Sequence, residues 1–165
     1  MAKRNGAESW QKNDDKELIL SELSDTQKEA LVSLAANINS FKESLTSNEP
    51  DTIKYIYGRI MDEMRGSVPS ITLIDSLKTQ LAGHCMDFKL KLDDSLKNSF
   101  PPSLENYVHE KSGVSMARLP DELFDNIVKF LQNGPDKDPA KNDFRLSAWI
   151  EKIQNLKNAI DPLLK

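Results

Sequence analysis

A chain of 165 residues fits one domain, long enough to bury roughly 70 % of the surface that its unfolded form exposes, so neither a metal nor a disulfide is required to hold it. Its 26 acidic and 22 basic residues leave a net charge of -4 spread along the whole length, with no basic run able to track a phosphate backbone, and nucleic acid is not an expected partner. No stretch approaches the ~18 apolar residues of a membrane span, the polar start lacks the apolar run of a signal peptide, and one cysteine with no Asn-x-Ser/Thr sequon suits a reducing compartment, so the expectation is a cytoplasmic protein or one delivered by a specialised secretion system.

Residues 1–12 are polar apart from Trp10 and read as a mobile arm, leaving 13–165 as a single helical domain. A short helix is predicted from Asn13 or Asp14 to Leu23, with Asp14, Asp15 and Glu17 at its positive end. Ser24 and Gln27 stand at capping-box spacing before a stripe of Leu31, Leu34, Ala35, Ile38, Phe41 and Leu45, which Thr46, Ser47 and Asn48 interrupt. A third helix opens near Pro50, carries Ile53, Ile56, Tyr57, Ile60 and Met64, and stops at Gly66.

Ser70 then caps the longest helix, about 70–98, whose face reads Ile74, Leu77, Leu81, Cys85, Phe88, Leu92 and Leu96 before Pro101-Pro102 ends it. At ~1.5 Å per residue such a rod spans roughly 40 Å and forms the spine of the fold, with Gly83 placed at a close helix crossing or a bend. Ser103 opens a brief helix that ends at Gly113, and Pro120 opens another that closes at Asn133-Gly134. After a charged loop at Asp136–Asn142, the last helix follows Pro139, buries Leu146, Trp149, Ile150, Ile153, Leu156 and Ile160, and stops at Asp161-Pro162. The fold class is therefore all-α, a single-domain bundle of six or seven helices around the long central one.

No spacing in the chain assembles a reaction centre. His84 and Cys85 are helical neighbours about 100° apart and chelate one ion poorly, His109 and Glu110 face solvent, and Cys85 is placed for burial rather than for attack. Asp14-Asp15 and Asp93-Asp94 read as solvated pairs without a third ligand, and the scattered glycines form no phosphate cradle. No catalytic residue, metal or cofactor is expected. The functional default is recognition of another protein by an adaptor, accessory subunit or effector. An enzyme with a site assembled from dispersed residues is the more distant alternative.

One segment, Leu119-Pro120-Asp121-Glu122-Leu123-Phe124-Asp125-Asn126-Ile127-Val128-Lys129-Phe130-Leu131, resembles the first half of an F-box motif, which runs Leu-Pro-x-Glu-(Leu/Ile), an apolar residue four places on, and a (Tyr/Phe)-Leu ending. The resemblance implies a substrate receptor of a cullin ubiquitin ligase, with Leu123, Ile127 and Leu131 packing on the ligase adaptor. Independently of it, the segment is apolar over more of its circumference than one packing face needs, so part of it is expected at the surface as a partner-binding site. Phe130, off the stripe of Leu123, Ile127 and Leu131, is the expected anchor. The competing expectation is that the last helix covers Phe130 through Trp149 and Ile153.

Overall fold

The computed structural model describes residues 16–97, 100–132 and 145–164, and within them seven α-helices and no strand. In chain order they are α1 (16–22), α2 (Asp25–Thr46), α3 (Ile53–Arg65), α4 (Ile71–Leu96), α5 (Pro102–Ser112), α6 (Leu119–Gln132) and α7 (Leu146–Ile160), closed by a 3-10 turn at Asp161–Leu164. The expected arm at 1–12, the start of α1, the stop at Asn133-Gly134, the loop at 136–142 and the opening of the last helix after Pro139 lie outside the described residues.

Three helix starts, those of α2, α3 and α4, follow from side-chain capping. Ser24 Oγ accepts from the Gln27 N–H at 3.1 Å while the Gln27 side chain accepts from the Ser24 N–H at 2.9 Å, the reciprocal capping box that the spacing predicts for α2. Ser70 accepts from the Leu73 N–H and caps α4, while its own N–H donates to the Glu63 side chain of α3. The start of α3 differs from expectation. Its cap is Thr52, whose hydroxyl accepts from the Tyr55 N–H, while Pro50 lies in the preceding turn beside Asp51, a residue in the left-handed region at φ 67°. α5 ends at Gly113, which takes φ 72° and returns its N–H to the His109 carbonyl at 2.7 Å. At the other end of the chain, Asp161-Pro162 does not stop the helical path, because the 3-10 turn carries on and buries Leu163.

One apolar cluster runs from Ile19 to Leu163 through every helix. α4 packs mainly on α2, α3 and α6; α7 packs instead on α2 and α5, so the spine is shared between α2 and α4 rather than belonging to α4 alone. These two are antiparallel, since Ser33 meets Ser95, Asn37 meets Lys91 and Phe41 meets Phe88. At one level of their seam Phe41 stacks on Phe88 with centroids 4.9 Å apart and meets Trp149 of α7 at 6.0 Å, joining three helices in one aromatic contact. At the next level Asn37 Nδ2 donates to Ser95 Oγ at 2.9 Å, and Ser95 donates to the Lys91 carbonyl at 3.1 Å, so the buried hydroxyl is satisfied in both roles.

Gly83 is not at a crossing. It is exposed in the middle of α4, and a Cβ built there meets nothing within 4 Å. The backbone freedom that glycine adds to the unfolded chain is then uncompensated, and Gly83→Ala is expected to stabilise the protein by about 0.5–1 kcal/mol, read as a rise of roughly 1–4 °C in Tm. A fall in Tm would mean that a neighbour closes on that face.

Candidate functional site

α6 is the one helix to which the sequence assigns a recognition role, and its surroundings can be built from its own periodicity. With ~100° per residue, Leu123, Ile127 and Phe130 share one face and Phe124, Val128 and Leu131 the next. The first face is inside: Leu119, Pro120, Leu123 and Ile127 are buried and Phe130 is 0 % exposed. The second is at the surface, with Phe124 42 % and Leu131 43 % exposed and Val128 between them half-buried. Of the four residues expected to bind a partner, Leu123, Ile127 and Phe130 thus belong to the core, and Leu131 alone is exposed.

The expectation that Phe130 is a surface anchor is corrected: the ring is buried, and α3 and α4 supply part of its cover. The ring stacks on Tyr57 of α3 with centroids 6.3 Å apart, and the Lys78 ammonium of α4 lies 4.9 Å from its centroid. Lys78 is only 2 % exposed, and its Nζ donates to the Phe130 carbonyl at 3.2 Å. That carbonyl belongs to the last turn of α6, where intrahelical donors run out and the helix dipole is negative, so a cation is well placed there despite its burial. Burial holds the Lys78 ammonium below its ordinary pKa, with the nearby Asp75 charge acting in the opposite sense. Burial likewise raises the Tyr57 hydroxyl, against the Leu146 backbone and the Arg145 and Arg65 charges.

α7 holds the opposite flank of α6. Trp149 Nε1 donates to Asn126 Oδ1 at 3.3 Å, and Lys152 pairs with Glu122 at 2.7 Å. On the exposed side Lys89 of α4 stands 5.8 Å from the Phe124 centroid and pairs with Asp93 at 2.7 Å. The outer edge of α6 is thus an apolar strip about 10 Å long, with Lys89 beside Phe124 and within reach of the Asp121 charge, and with the exposed Asp121, Asp125 and Lys129 along the solvent flank.

The remaining candidate groups are dispersed. Cys85 is fully buried on α4, where desolvation raises its thiol far above the ordinary value and suppresses the thiolate. His84 is half-exposed beside it and His109 lies exposed on α5. Asp93 and Asp94 pair with Lys89 and Lys97 respectively, while Asp14 and Asp15 lie outside the described residues. Among the described residues no three His, Cys, Asp or Glu side chains gather at metal-binding distance, and no helix is long and apolar enough to cross a membrane.

Two features escaped sequence reasoning, though both left a trace there. Lys78 occupies a core position in the series Ile74, Lys78, Leu81 and Cys85, spaced at four, three and four residues. The exposed strip is the same 4-3 spacing displaced by one residue from the buried one, which marks a second apolar side rather than a single widened face. Comparison with protein-family models, curated proteins and solved structures finds no match.

Proposed function

We propose that this protein is a non-catalytic helical interaction module, an adaptor, accessory subunit or effector, that docks another protein along Phe124, Val128 and Leu131. One observation supports this reading: α6 presents an exposed apolar series at helix-pairing spacing in addition to the complete series that it buries. Aromatic and large aliphatic side chains two turns apart on a held helix can enter a partner's groove with little further ordering. The buried Cys85 is compatible with work in the cytosol or after delivery into one.

The test is a double variant, Phe124→Ser with Leu131→Ser. Both positions are exposed, so the double variant is expected to remain folded with a loss of no more than about 2 kcal/mol, while a partner captured by the parent chain is lost. Equal capture by both chains would remove α6 from recognition. The F-box-like alternative retains only Leu131 of its three packing positions at the surface, since Leu123 and Ile127 lie in the core; a cullin-ligase adaptor among the captured proteins would favour it.

A further inference from the structure

We infer that the outer edge of α6 pairs antiparallel with the same edge of a second copy of this chain. The inference rests on the docking role proposed for Phe124, Val128 and Leu131 and names its occupant from the charge pattern beside them. Along the solvent flank of the strip, Asp121 and Asp125 occupy the N-terminal half of α6 and Lys129 the C-terminal half, all exposed. A flank that runs from acidic to basic is complementary to itself only when reversed.

The register follows from the strip. Placing Phe124 of one copy opposite Leu131 of the other puts the two-fold axis between residues 127 and 128, with Val128 beside it in both copies. Asp125 then lies within one residue rise, about 1.5 Å along the axis, of Lys129 in the second copy, and the symmetry repeats the contact. A parallel two-fold pair would instead carry the two flanks to opposite sides of the seam, where Asp125 and Lys129 of different copies do not meet. The charges of α4 follow the same sense: Lys89 stands beside Phe124, whereas Asp75 lies near Lys78 and thus toward the Phe130 and Leu131 end, so antiparallel packing brings Lys89 of one copy toward Asp75 of the other.

The strip offers three side chains per copy, short of the roughly 800 Å² per partner of a standard stable interface, so the pair is weak and concentration-dependent. Sedimentation of the full chain is expected to move from the monomer toward twice its mass between about 10 µM and about 1 mM. Val128→Cys is expected to cross-link to a covalent dimer on mild oxidation; the parent chain, whose only thiol is the buried Cys85, forms no covalent dimer under the same treatment. Asp125→Lys and Lys129→Asp should each lower self-association about tenfold or more, and mixing the two variant chains should restore a pair. Thermal melts of every variant establish that each is folded.

A parent chain that remains monomeric up to about 1 mM, with a Val128→Cys chain that forms no covalent dimer, would overturn the self-pairing. So would charge variants that associate as the parent does. If the chain is monomeric yet Phe124→Ser with Leu131→Ser abolishes capture of a different protein, self-pairing fails and the docking role stands. If that double variant alters neither association nor capture, both fail.

Discussion

Replacing Phe130 by Ala is expected to destabilise the protein by about 3–5 kcal/mol, lowering Tm by roughly 10 °C and shifting the urea midpoint without a change in slope. The ring is fully buried, stacks on Tyr57 and lies under the Lys78 ammonium, so its removal leaves both a cavity and a cation that has lost one of its contacts. The same substitution six residues earlier, Phe124→Ala, is the internal control. It removes an equal side chain from an exposed position of the same helix and should cost under about 1 kcal/mol. Equal costs at the two positions would mean that α6 presents a different side to the core.

Phe41→Ala is expected to cost a similar 3–5 kcal/mol, and its effect should be seen beyond α2. Phe41 is buried where α2, α4 and α7 meet, stacked on Phe88 and tilted against Trp149, so truncating it loosens the seat of Trp149. In a Trp10→Phe background the emission of Trp149 should shift to longer wavelength along with the loss of stability. A stability loss with unchanged emission would show that Asn126 and Lys152 hold the indole without help from Phe41.

The helical architecture was legible because the helices carry periodic apolar faces and several of them a chemically recognisable end. Ser24, Ser70 and Gly113 act where their side chains or backbone preferences predict. Elsewhere a single residue was a weaker guide. The start of α3 was read from Pro50 alone, and the helix opens instead at Thr52, whose hydroxyl can accept an N–H, whereas proline only tolerates the position. Gly83 showed the same weakness, since a glycine in a helix signals a close approach only if something approaches. At the candidate site, the excess of apolar surface on α6 was legible but its placement was not. Which of two adjacent apolar series faces inward depends on neighbours distant in sequence, Tyr57, Lys78 and Trp149, whose positions no local pattern reveals.

That choice has a consequence for how α6 is set in the bundle. The series 123, 127 and 130 and the series 124, 128 and 131 are related by a single residue, hence by a rotation of about 100° about the helix axis, and either is apolar enough to line a core. Hydrophobicity alone therefore leaves the helix nearly degenerate between two orientations. The degeneracy is lifted by directional contacts: the Asn126 amide on Trp149, the Glu122 carboxylate on Lys152, and the terminal carbonyl of Phe130 on Lys78, which only one orientation satisfies together. In this helix the polar contacts point the same way as the fit of Leu119, Leu123, Ile127 and Phe130 in the core, and together they fix which side faces out.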